Sequence, residues 1–158
     1  MSILDFGNFD DDPDDDQGRR ERFEDELKKY RDSLKDGSSG ITNAEALEEI
    51  VNYYFDNEKY EDALHFINQL LAIVPYSSDF WHRKGLILAN LYKYEEALEA
   101  YETALRLNPV DPEVLVNKGI TLDDLGRFEE AIASFNGALE IDPTQEEALF
   151  NKGISLEK

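Results

Sequence analysis

Three pairs of adjacent carboxylates, Glu61-Asp62, Glu95-Glu96 and Glu129-Glu130, and two histidines, His65 and His82, have the side-chain types that proton transfer needs. Two neighbouring carboxyls can divide the work of general acid and general base when a site separates their pKa values, and imidazole titrates near neutrality. The spacing argues against that use. Each pair stands 34 residues from the next, and a reaction needs one dyad rather than three at a fixed interval. At the start of helices the same pairs have a simpler role, because negative charge there complements the helix dipole. The histidines are isolated in sequence, and no Gly-rich phosphate loop or metal-ligand spacing accompanies them. Cysteine is absent, which removes disulfides, thiol catalysis and thiolate metal sites together. The sequence therefore predicts a protein that is not an enzyme and has no cofactor and no metal. His82 is singled out only as a hydrogen-bonding or pH-sensitive contact.

The 34-residue interval extends well beyond the acidic pairs. Arg83-Lys84-Gly85-Leu86, Asn117-Lys118-Gly119-Ile120 and Asn151-Lys152-Gly153-Ile154 keep it, as do Pro75, Pro109 and Pro143, then Ala63, Ala97 and Ala131, and Tyr60, Tyr94 and Phe128. Such a period signals a helical repeat array, in which each unit buries its apolar face by stacking on its neighbours. Apolar periodicity and end signals predict helices near 43–56, 60–74, 78–91, 94–107, 112–125, 128–141 and 145–157. Thr42 with Glu45, and Thr144 with Glu147, read as capping boxes; Ser78 reads as an N-cap, and Asp111 precedes Pro112 at the first helical position. Gly126 falls where a left-handed helix cap is wanted. Gly85, Gly119, Ala97, Ala131, Ala104 and Ala138 lack bulk, so helix axes can approach there, while Trp81, Leu88, Tyr94, Tyr101, Leu122, Phe128 and Phe135 fill the remaining space.

The formal charge of −20 is shared unevenly. Residues 1–43 carry 13 acidic and 7 basic side chains and residues 44–158 carry 23 and 9, so the two parts contribute −6 and −14. A field of this sign repels nucleic-acid phosphates and anionic membranes and steers cationic partners; it also serves solubility alone. No apolar run approaches the ~20 residues of a membrane helix, and the first residues lack the pattern of a secretory signal, so a cytoplasmic protein is expected. Residues 1–17 hold seven aspartates and no basic residue, which predicts a disordered acidic tail over 1–18. Three readings of that tail compete: a solvated spacer, a docking segment anchored by Phe6 and Phe9, and a cation site, the last lacking the glycine turn and terminal glutamate of a calcium loop. Over 19–36, Phe23, Leu27, Tyr30 and Leu34 recur at helical spacing, predicting one amphipathic helix that Gly37-Ser38-Ser39-Gly40 ends.

The repeated residues resemble the tetratricopeptide repeat family. Trp81, Gly85, Tyr94, Ala97, Tyr101, Ala104 and Pro109 match its signature in the unit 78–111, and Leu115, Gly119, Gly126, Phe128, Ala131, Phe135, Ala138 and Pro143 match it in the unit 112–145. The unit 44–77 departs, with Val51 in the glycine column and Leu70 in the second alanine column, and 146–158 supplies only the first helix of a further unit. The resemblance implies an all-α fold of antiparallel helix pairs stacked into a right-handed superhelix. It also implies partner binding on the inner wall that the first helix of each unit builds.

Carried over from the family, the wall positions include Asn52, His82, Arg83, Leu86, Val116, Asn117, Ile120, Phe150, Asn151 and Ile154, together with Glu48, Asp79, Glu113 and Glu147. They read as an apolar column, Leu86, Val116, Ile120, Phe150 and Ile154, flanked by amides and carboxylates. Exposed apolar surface of that kind marks an interaction site, unless a neighbouring helix covers it. A peptide or helix with basic edges suits the wall. Family members that hold the acidic tails of heat-shock chaperones use a clamp of lysine, asparagine and arginine. In one register those places are Glu48, Asn52, Glu113 and Asn117, and in the next His82, Leu86, Asn117, Glu147 and Asn151, so the clamp is not met. The sequence thus predicts a protein-interaction module for an apolar-basic segment. The alternative is the N-terminal part of a longer array or a domain that self-assembles through its C-terminal helix, because Leu149, Phe150, Ile154 and Leu156 have no second helix to pack against.

Overall fold

The computed structural model describes residues 44–158 and, before them, Gln17, Gly18, Arg20, Glu21, Glu24, Asp25, Leu27, Lys28 and Asp32. These nine earlier positions are helical and Leu27 is buried; the rest of the expected tail and of the helix 19–36, and the capping residue Thr42, lie outside the described residues. The described residues fall into two units, one within residues 1–46 and one spanning Leu47–Lys158.

From residue 44 onward the structure is helical, with no strand among the described residues. The helices are α1 (Ala44–Asp56), α2 (Tyr60–Ile73), α3 (Ser78–Asn90), α4 (Tyr94–Leu107), α5 (Pro112–Asp124), α6 (Phe128–Ile141) and α7 (Glu146–Leu156). Each boundary lies within one residue of the sequence expectation. Within the unit 47–158, α3 packs on α4 and α5 on α6, and the pairs stack through α2 on α3, α4 on α5 and α6 on α7. Successive first helices also touch, α3 with α5 and α5 with α7. This is an all-α repeat solenoid, and none of its described helices is long and apolar enough to cross a membrane.

The turns explain the register. Glu58, Tyr92 and Gly126 have φ of 57°, 59° and 74°, the left-handed conformation, at successive 34-residue steps. In each turn the next residue's N–H reaches back to the helix: Lys59 to the Tyr54 carbonyl, Lys93 to Leu88 and Arg127 to Leu122, all at 2.9 Å. The left-handed residue itself donates to Phe55, Ala89 or Asp123 at 2.9–3.0 Å. These paired bonds are a Schellman motif, which satisfies carbonyls that the helix end leaves free and turns the chain back on itself.

Of the helix-start expectations among the described residues, two fail and one holds. Asp111 Oδ1 accepts from the Glu113 and Val114 amides at 3.1 and 3.3 Å, with Pro112 at the first helical position. At α3 the cap is Ser77, whose backbone is extended and whose hydroxyl accepts from the Phe80 amide at 3.3 Å. Ser78 is already helical, and its buried hydroxyl has no hydrogen-bond partner. At α7 no box forms: Asp142 Oδ1 takes both the Thr144 amide (3.0 Å) and hydroxyl (2.7 Å), and Gln145 caps without a side-chain bond. A carboxylate two residues upstream offers Thr144 a shorter-range partner than the helix amides do.

Small residues set the helix spacing. A Cβ added at Gly85 would lie 2.3 Å from Tyr101 Cε1, and one at Gly119 2.4 Å from Phe135 Cε1. Both rings are buried beside Ala97 and Ala104, or Ala131 and Ala138, which are fully buried as well. The glycine therefore serves as the socket for an aromatic ring sixteen residues on. Trp81, Tyr94 and Phe128, which the pattern puts in the core, are only partly buried.

Candidate protein-binding wall

Two of the first helices of the unit 47–158 are tied together by a side-chain bond. His82 Nε2 of α3 and Asn117 Nδ2 of α5 are 2.9 Å apart, and the imidazole leans on the Tyr101 ring at 6.0 Å between centroids. The bond joins adjacent units at the surface the repeat pattern assigns to the inner wall. Burial lowers the His82 pKa below its ordinary value of 6.5, Arg83 adds to this, and Asp111, Glu113 and Asp79 oppose it. Near neutral pH the ring is therefore uncharged, and it contributes hydrogen bonding rather than positive charge.

Beside this bond lies a cleft of about 480 Å³ that crosses three first helices. Glu48 of α1, Asp79 of α3 and Glu113 of α5 bring carboxylates to it; Phe80 and Leu86 supply apolar surface, and His82 and Arg83 complete the polar lining. Glu48, Asp79 and Glu113 form no ion pair with another described residue, unlike Glu130, which Arg127 binds at 2.7 and 2.8 Å. That bidentate hydrogen bond holds Glu130 below the usual carboxylate range, and Arg127 also reaches Glu95 at 3.4 Å. Glu130 and Glu95 are thus engaged by Arg127, whereas the cleft carboxylates have no basic partner among the described residues.

The remaining wall residues divide. His82, Arg83 and Leu86 line the cleft, and Asn117 is bonded to one of its walls. Ile120 and Leu86 are partly buried and pack on the core. Val116 is not a wall residue: it is 1% exposed inside the core cluster. On α5 it lies two positions after Val114, also buried; the two side chains leave the helix on nearly opposite sides, so α5 is covered on both. Phe150 is 69% exposed and Ile154 37%, while Asn151 bonds its own helix at the Glu147 carbonyl (2.9 Å). Asn52 is partly buried and does not line the cleft. The cleft residues Ser77 and Phe80 were absent from the sequence-based wall; the signal for Phe80 was its place one helical turn before Arg83. Two of the lysines that recur before the repeated glycines are engaged: Lys84 sits over the Trp81 ring at 5.1 Å, and Lys118 pairs with Glu102 at 3.5 Å.

Comparison with known proteins agrees with the fold. Residues 82–146 match the tetratricopeptide repeat family model. No curated protein matches the sequence. Among solved structures, MamA aligns with a TM-score of 0.75 at 21% identity over 95% of this chain and 85% of its own. The first repeat domain of Spaghetti (RPAP3), bound to the HSP90 peptide SRMEEVD, aligns at 0.70 and 24% identity over 75% and 97%. The Yersinia enterocolitica type III secretion chaperone SycD, in complex with a peptide of the translocator YopD, aligns at 0.66 and 22% over 72% and 88%. Sockets, turns and register observed in this chain agree with these matches: residues 82–146 fit the tetratricopeptide repeat model, and the fold is shared with solved helical-repeat domains.

Proposed function

We propose that residues 47–158 hold a segment of another protein, apolar with basic flanks, on the wall formed by the first helices. The observation that carries this reading is the cleft across α1, α3 and α5, where three carboxylates that form no ion pair among the described residues stand beside Phe80 and Leu86. Such a lining suits an aliphatic or aromatic side chain next to a lysine or arginine, whose stem packs on the apolar surface while its charge meets the carboxylates. Solved relatives of the same fold include complexes with peptides, which supports a peptide-holding use. The partner differs in charge: SRMEEVD carries three acidic residues, and a wall bearing Glu48 and Glu113 repels such a peptide.

Selection of binders from a displayed peptide library tests the reading. Enrichment of sequences pairing Lys or Arg with Leu, Ile or Phe is expected. Their binding should fall by about tenfold or more in a Glu48→Lys, Glu113→Lys variant. Enrichment of acidic tails, or binders indifferent both to that variant and to Leu86→Asp with Ile120→Asp, would place the site elsewhere.

A further inference from the structure

His82 stands where three helices meet. From α3, its Nε2 lies 2.9 Å from Asn117 Nδ2 on α5, and its ring leans on that of Tyr101 on α4. An amide nitrogen only donates, so the ring nitrogen accepts, and the imidazole proton of this bonded form sits on Nδ1. Asn117 is tied into the same joint through its backbone carbonyl, which accepts from the Thr121 hydroxyl at 2.9 Å; Thr121 in turn bonds the Tyr101 hydroxyl. The geometry therefore selects the neutral ring. A proton on Nε2 would point at the Asn117 amide hydrogens and force that side chain to turn.

The same ring lines the acidic cleft. The charged groups that act on it are Asp79 and Arg83 of α3, Glu113 of α5 and Asp111 at the start of that helix. From α4 it meets Tyr101, whose hydroxyl burial keeps in the protonated form; α1 brings Glu48 to the same cleft, and no charged side chain of α2 acts on the ring. Three of those four charges are negative and favour a proton on His82, but desolvation outweighs them. A cation brought into the cleft changes that balance. Glu113 and Asp79, once paired with it, no longer favour imidazolium, and the incoming charge repels it.

We infer, on the reading that the cleft holds an apolar-basic segment, that the partner's basic side chain and a proton on His82 compete for the cleft, so that acidification releases the segment. The coupling is reciprocal: the factor by which protonation weakens the partner is the factor by which the partner weakens protonation. His65, the other histidine, takes no part, since it lies on α2, bonds Gln69 at 2.8 Å and does not line the cleft. Aspartate and glutamate ordinarily titrate below about pH 5, so between about pH 7.5 and 5 histidine is the side-chain type that changes charge.

The probe is a labelled peptide from the displayed-library selection, one that pairs Lys or Arg with Leu, Ile or Phe and contains no His, Asp or Glu. It is titrated with the full chain and followed by fluorescence anisotropy at about pH 7.5 and about pH 5. Affinity should be weaker by about fivefold or more at the lower pH. In His82→Gln, whatever its affinity at neutral pH, that ratio should shrink to within about twofold, whereas His65→Gln should keep it. NMR titration of the ring protons adds a measurement on the unmodified protein, with His65→Gln assigning the two histidines. Saturating peptide should move the His82 titration to lower pH. An affinity ratio that His82→Gln leaves intact overturns the inference, as does a His82 titration that the peptide leaves in place or raises. A peptide whose binding the Glu48→Lys, Glu113→Lys variant abolishes but pH does not change sinks this inference alone and leaves the proposed function standing. Failure to select any such peptide refutes the proposed function, and the competition falls with it.

Discussion

Gly119 and Gly153 occupy the same column of the repeat, yet a methyl group at the two positions would have opposite effects. At Gly119 it would press into the Phe135 ring, which is fully buried and cannot swing away. Overpacking of this kind costs about 1–3 kcal/mol. At Gly153 the methyl meets open space, and replacing a helical glycine by alanine favours folding by up to about 1 kcal/mol. Urea denaturation midpoints of Gly119→Ala and Gly153→Ala should move in opposite directions; parallel shifts would dismiss the socket account. His82 gives the second residue-scale prediction. Its folded-state pKa is lowered, so on acidification the unfolded chain takes up a proton before the folded chain does. The contribution of His82 is complete above about 6.5, the ordinary value, and is lost as pH falls from there through the lower folded-state pKa. Thermal melts across that range should show His82→Gln losing less stability on acidification than the unmodified chain. Identical pH profiles would show that the Asn117 bond does not select the neutral ring.

At the scale of helices, capping decides how sharply each element begins. Asp111 binds two amides at the start of α5, whereas α7 starts without a side-chain cap. Asp111→Ala should cost about 1 kcal/mol, and Thr144→Ala, whose hydroxyl serves Asp142 and not the helix, distinctly less; calorimetry of the two variants checks the order. Helix limits were legible because glycine, proline and the apolar period all act within a few residues. The cap identities at Ser77 and Thr144 were less so. Two adjacent serines satisfy one capping rule equally well, and the backbone conformation that separates them comes from how the chain leaves Pro75 and Tyr76. Asp142 competes for Thr144 through geometry that a four-residue motif does not contain.

For the repeat unit as a whole, periodicity carried the architecture, and the wall was harder to read. Column matching singled out His82, Arg83 and Leu86, and these three line the cleft. It failed at Val116: His82, Val116 and Phe150 share one column, but the first bonds Asn117, the second is buried and the third is exposed. Exposure within a column depends on what stacks next to it, which changes from the interior of the array to α7. The acidic character of the cleft was legible, since charge survives small errors of orientation; its depth and Phe80 lining depend on side-chain packing.

The identical turns have a consequence for the chain's length. Lys59, Lys93 and Arg127 enter their helices with nearly the same backbone angles, φ of −89°, −90° and −92° and ψ of 66°, 63° and 63°. Removing residues 94–127 would join Lys93 to Phe128 through a junction of the geometry the chain already uses at Tyr94, and would bring Gly85 to Phe135, a socket and ring of the types now paired at Gly119. Whole multiples of 34 residues can therefore be excised or duplicated with the same turn geometry at the junction, whereas a length change within the sixteen residues between a glycine and its ring disrupts that pair.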